Sequence, residues 1–172
     1  MDDKYAMLRH FLGALAYRTQ KALRGAPSTF SDFDAGHSIR SPRQLVRHMT
    51  DVLGHARTCF TGDGYEAHPL SDFPAEVSRF HEMLDDLGRL LADGSPLATA
   101  TPEQLLQGPF ADAMTHAGQL AMLRRLAGTP VPPENFMAAQ VEPDRLGPQQ
   151  ARPRRPFGAW PEAPPGWAGP GS

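Results

Sequence analysis

The sequence predicts an all-α protein: a four-helix bundle with a long crossover between its second and third helices and an extended proline-rich C-terminal tail. Three observations carry this. Apolar residues recur at helical spacing in four long segments. Two capping boxes with proline at the first helical position, Ser41-Pro42-Arg43-Gln44 and Thr101-Pro102-Glu103-Gln104, mark helix starts. After Val131 the composition changes to a proline-rich segment that suits neither helix nor sheet.

The first helix is expected from Asp3 to about Arg24. Met7, Leu8, Phe11, Leu12, Leu15 and Leu23 form its apolar stripe, and Gly25, Ala26 and Pro27 end it. A loop over 27–40 follows, with Phe30 and Phe33 as its anchors. The second helix opens on the Ser41 box and runs to about Phe60, with Leu45, Met49, Val52, Leu53, Ala56 and Phe60 facing inward. His48 and His55 share one edge of that stripe. They stand seven residues apart, about 10.5 Å along the axis, so at most one of them belongs to any single ion site. Cys59, the one cysteine, reads as a small buried hydrophobe.

The Gly- and Asp-rich stretch 61–72 spans up to roughly 40 Å when extended. That suffices to return along a whole helix, so the second and third helices are expected to run parallel. The third helix follows Pro74 to about Ala92, with Val77, Phe80, Leu84, Leu87 and Leu91 inward and His81 beside them. The Thr101 box then opens one or two turns that Gly108 closes. His10, His37 and His68 read as surface histidines.

The fourth helix, between Pro109 and Gly128, organises the chain. On a 3.6-residue wheel Asp112, His116, Gln119, Leu123 and Leu126 fall on one stripe, with Arg124 and Arg125 on other faces. A buried stripe with a carboxylate, an imidazole and an amide at its centre needs partners for them. A carboxylate and an imidazole four residues apart can share one metal ion. The third ligand would have to come from another helix; one of His48 and His55 is a candidate, and His81 the runner-up.

Composition bounds the rest. The chain has 172 residues, a formal net charge of −2 and no apolar run of membrane-spanning length. Its N-terminus lacks the basic-then-apolar pattern of a signal peptide. The expectation is a cytoplasmic protein with no nucleic-acid or membrane partner. Residues 1–140 are expected to form the bundle and 141–172 an arm packed on it or on a dimer partner, anchored by Phe157, Trp160 and Trp167. A homodimer is the favoured assembly. The cluster Arg152, Arg154 and Arg155 reads as a solvated turn.

With SIRSPRQLVRHMTDVL in the second helix and DAMTHAGQLAMLRRLAG in the fourth, the chain resembles the DinB/YfiT-like family over roughly residues 1–130. Members typically carry a helix-two histidine after a Ser-x-x-(Glu/Gln)-Leu opening, then HxxxHxxQ late in the bundle. By that resemblance His48 matches the helix-two ligand, and His116 and Gln119 match the second histidine and the glutamine of the late motif. Asp112 stands where the family usually has its first late histidine. The resemblance implies a divalent metal held by His48, Asp112 and His116, zinc or nickel first and iron or manganese as further fits. Gln119 would orient a ligand or a bound water. It also implies a metal-dependent transferase or hydrolase that activates a thiol or water, with a small-molecule substrate that includes a low-molecular-weight thiol. The alternative is a metal-free bundle serving as a stress-related binding, scaffold or dimerisation module.

Overall fold

The structure is a computed structural model that describes residues 2–153, Trp160 and residues 163–165. The expected tail anchors Phe157 and Trp167, and Arg154 and Arg155, lie outside the described residues. All regular structure among those described is helical. Helix α1 spans Asp3–Leu23, α2 Pro42–Thr61, α3 Phe73–Ala92, a single turn α4 Pro102–Leu105, and α5 Ala111–Leu126. Among the described residues no helix is long and apolar enough to cross a membrane.

The four long helices pack in a square. Helices α1 and α2 occupy opposite corners, each in contact with α3 and α5. Side-chain pairs give the directions. Arg47 faces Glu76 at 3.9 Å near the starts of α2 and α3, and Arg57 faces Asp86 at 3.8 Å near their ends, so these helices run parallel. Gln20 meets His81, and the Tyr5 hydroxyl donates to Ser95 O beyond the end of α3, so α1 and α3 are antiparallel. Phe11 stacks on Phe110, and Arg124 donates to Ala22 O, so α1 and α5 are parallel. The order is up, down, down, up, with the crossover where the loop length requires it.

Local chemistry sets each boundary. Ser41 and Gln44 form the expected reciprocal cap on α2, and Gly62 ends that helix at φ +74°. Thr101 and Gln104 do the same for α4. The backbone then passes through a wide turn, Leu106–Phe110, broken at Gly108 (φ −94°, ψ −105°) before α5 starts. Gly128 follows α5 at φ +73°.

The crossover is stapled to the bundle by one buried carboxylate. Glu76 has no exposed surface. It accepts the Leu70 N–H at 2.9 Å and the Arg79 guanidinium at 2.5 Å, and Arg79 also donates to His68 O at 2.7 Å. Farther back, the Asp51 carboxylate accepts the Ala67 N–H at 2.9 Å. Tyr65 lies so close over Gly54 that a Cβ there would sit 1.9 Å from its ring. Glycine in mid-helix is costly by itself, and here it admits the ring of the crossover loop.

The later segment returns over α1 and α3. Glu142 O approaches Gly13 so closely that a Cβ there would lie 2.7 Å from it. Leu146 joins the core at 4% exposure, and the Tyr17 hydroxyl donates to Glu134 at 2.5 Å. Trp160 is buried beside the Arg125 guanidinium.

Several inward-facing expectations are corrected. Met7 is 67% exposed and Leu126 57% exposed. Arg124, expected on a polar face, is buried. Its guanidinium bonds to Thr129 O, Ala22 O and Arg24 O, which ties the ends of α1 and α5 together. The buried face of α5 runs through Ala113, His116, Ala117, Leu120, Leu123 and Arg124, rotated from the expected stripe.

His81, the runner-up ligand, is corrected too. It is buried on α3, where its Nδ1–H donates to Leu146 O at 2.5 Å and Gln20 Nε2 approaches its Nε2 at 3.4 Å. Both ring nitrogens are satisfied in the neutral form. Burial, the largest influence, holds this imidazole below its ordinary 6.5, against smaller upward pulls from the Leu146 bond and Asp85. The unfolded chain therefore takes up a proton that the folded chain resists. Stability should be flat with respect to this group above 6.5 and should fall as pH drops below it. The urea midpoint of the wild type is expected to decrease from about pH 7.5 to about pH 5.5, and less so in His81→Gln, which keeps a donor for Leu146 O. An equal decrease in both proteins would contradict this role.

Candidate metal centre

The antiparallel contact between α2 and α5 builds the site. His48 lies in the second turn of α2, one turn beyond Leu45. Asp112 and His116 stand four apart on α5 and so share a face. One donor atom from each of the three residues lies within 4.8 Å of the others. The His116 Nε2 is 3.2 Å from Asp112 Oδ1. The His48 and His116 rings meet edge to face, with centroids 4.8 Å apart and planes at 73°.

Burial is graded across the trio. His116 is buried, His48 half-buried, and the Asp112 side chain 48% exposed. The cluster thus sits at the rim of the bundle with one side toward solvent. Burial and the nearby Arg40 guanidinium, followed by His116, push the His48 pKa below its usual value, against smaller pulls from Asp112 and Asp51. The neutral imidazole that a metal requires is therefore favoured at residue 48.

Gln119 supplies the orienting contact. Its Oε1 lies 2.9 Å from His116 Nδ1, a contact in which an Nδ1–H would donate. The other ring nitrogen, Nε2, faces Asp112 Oδ1, and with the proton on Nδ1 it would present its lone pair there. Two acceptors at 3.2 Å repel unless a proton or a cation lies between them. This electron-rich convergence is the observation that tests whether the residues fit a divalent ion, and they fit. Tetrahedral ligands at 2.0–2.2 Å from an ion stand about 3.4 Å apart, a spacing that small side-chain rotations reach from the distances here.

The remaining sequence candidates lie elsewhere. His55 is exposed, a turn and more along α2 from the cluster. Cys59 is half-buried and lines a cavity with Val52, His55 and Asp112; its Sγ lies 3.6 Å from His55 O. His10, His37 and His68 are exposed. The reading from sequence missed Arg40. It precedes the α2 cap and stands close enough to His48 to influence its ionisation. No spacing rule marks a lone arginine in a loop, so nothing in the sequence pointed to it.

The His116 proton can be located directly. Long-range nitrogen–proton NMR of the metal-free chain at neutral pH is expected to show the Nδ1–H tautomer at His116. In Gln119→Leu the proton should move to Nε2, where Asp112 accepts it. An Nε2–H tautomer in the wild type would contradict an Nδ1–H donor.

No protein-family model, curated protein or solved structure matches this chain.

Proposed function

We propose that this chain is a metal-dependent enzyme, a transferase or hydrolase of small molecules, whose divalent ion is held by His48, Asp112 and His116. The observation that carries the reading is the convergence of three metal-competent side chains from two helices, one of them oriented by Gln119 through its other nitrogen. Resemblance of the second- and fourth-helix motifs to the DinB/YfiT-like family supports it from the sequence side. Zinc and nickel fit a two-histidine, one-carboxylate set best, and iron(II) and manganese remain compatible with it.

A divalent ion held by His48, Asp112 and His116 would supply Lewis acidity that favours deprotonation of a water or thiol. The chain's own residues do the rest. Gln119 keeps the His116 lone pair pointed at the cluster. Asp112 contributes the negative charge that neutralises part of the ion's charge, and its exposed edge faces the solvent side from which a substrate arrives. Next to it a cavity of about 680 Å³, bordered by Asp112, Val52, Cys59, Leu105 and Thr115, offers a mostly apolar wall for a small molecule. A low-molecular-weight thiol is the co-substrate this reading favours. A homodimer remains part of the proposal.

A second reading has its own observation. The His116–Asp112 contact at 3.2 Å is also the geometry of an i,i+4 ion pair, and protonated His116 would satisfy it without metal. The bundle would then be a metal-free binding or scaffold module.

Calorimetric titration of untagged, chelator-free protein with zinc separates the two. The metal reading expects one ion per chain. His48→Ala, Asp112→Ala and His116→Ala should each weaken binding by at least about 100-fold, more than the loss from removing an orienting contact, with the helical circular-dichroism signal retained. Stoichiometric binding that survives in His116→Ala would overturn the ligand set. No uptake by the wild type would establish the metal-free reading.

A further inference from the structure

The seam between α2 and α5 carries three features in a row. At one end lies the cavity beside Asp112, which no lysine or arginine among the described residues borders. The donor cluster is in the middle. At the other end is a second cavity of about 550 Å³, bounded by Ile39, Arg40, Leu45, Gln119, Met122 and Leu123. Leu45 and Gln119 are each three residues from His48 and His116, so this second cavity begins roughly 4.5 Å farther along the helix axes.

Among the described residues, Arg40 is the one charged group on that cavity's wall. Its neighbours in sequence are engaged: Arg43 pairs with Asp32 at 2.9 Å and Arg47 faces Glu76. Among the described residues Arg40 makes no ion pair and no hydrogen bond. The approach to it is held in an uncommon conformation. Gly36, His37 and Ser38 all have positive φ, at +77°, +54° and +59°. Two consecutive non-glycine residues in this region persist only where the surroundings enforce them, and such segments cluster at binding sites. The positive end of α2 begins at the next residue, Ser41, and adds to the field around the guanidinium.

We infer that this seam binds a small organic monoanion, with Arg40 receiving its carboxylate in the second cavity, Leu45, Met122 and Leu123 covering its apolar chain, and its other end reaching the His48–Asp112–His116 cluster. The inference rests on the metal reading for the role of that far end; the carboxylate anchor stands on the cavity and Arg40 alone. A single guanidinium matches a single negative charge, and its fork matches a carboxylate with two parallel bonds. Among the described residues the first cavity has no such partner, so the substrate's charge is read on the Arg40 side of the cluster. The ligand's carboxylate and its reacting group should therefore be about one helical turn apart, the length of a three- to four-carbon chain.

The test uses the full chain and two pairs of probes. For zinc-loaded protein the pair is 4-mercaptobutyrate and 4-mercaptobutanamide, which share a thiol for the ion and differ in charge. Titration calorimetry is expected to give about ten-fold tighter binding of the acid. Arg40→Gln should bring the two to parity with zinc content unchanged, and Arg40→Lys should keep part of the preference. Parity in the wild type, or a preference that survives in Arg40→Gln, would overturn the anchor. For zinc-free protein the pair is butyrate and butanamide, read by saturation-transfer NMR. If the chain takes up no zinc, the metal reading falls. An Arg40-dependent preference for butyrate then sustains the anchor, and its absence overturns the anchor as well.

Discussion

The register of α2 against α5 is the constraint on which the rest of the site depends. These helices are antiparallel and adjacent, which sets residue 48 opposite residue 116. A slip of one residue on either helix would rotate a donor by about 100° and move it off the shared seam. The register follows from the topology. Because α2 and α3 run parallel, the crossover must travel the length of the bundle, and the buried Glu76 carboxylate with Arg79 pins its far end. Tyr65 seated on Gly54 pins its near end. With α3 placed in this way, the remaining corner beside α2 falls to α5.

Polar groups at such a seam are costly unless each finds a partner. His81 meets that cost with two hydrogen bonds in the neutral form, and nothing about it calls for an ion. His116 is different. Gln119 satisfies one nitrogen, and the other faces a carboxylate oxygen and a second imidazole. Two buried histidines of similar exposure therefore have opposite characters, and the difference lies in what their second nitrogen meets. The same comparison distinguishes the arginines. Arg124 is enclosed by carbonyls at the ends of α1 and α5 and serves the fold, whereas Arg40 makes no ion pair or hydrogen bond among the described residues and borders a cavity.

Much of this was legible in the sequence. Helical periodicity, two proline-primed capping boxes and the length of the 61–72 segment carried the four helices and their crossover. The i,i+4 spacing of Asp112 and His116 required only that a third donor face them, and His48 does. Other features depended on side-chain reach across the bundle, which spacing does not encode. The buried face of α5 is rotated because Arg124, polar by composition, is long enough to find carbonyls two helices' ends away. Glu76 looks like an ordinary first-turn acid until the crossover loop folds over it. His81 was placed correctly on its helix, but its partners come from α1 and from residue 146, far away in sequence.

The central claim is that one cation joins His48, Asp112 and His116. The most direct measurement is an anomalous difference map, recorded at the zinc absorption edge, from crystals of the untagged chain grown with stoichiometric zinc. The account predicts one strong peak per chain, about 2.0–2.2 Å from an imidazole nitrogen of residue 48, the Nε2 of residue 116 and a carboxylate oxygen of residue 112. A map with no peak at that position, or with its peak on other side chains, would contradict it.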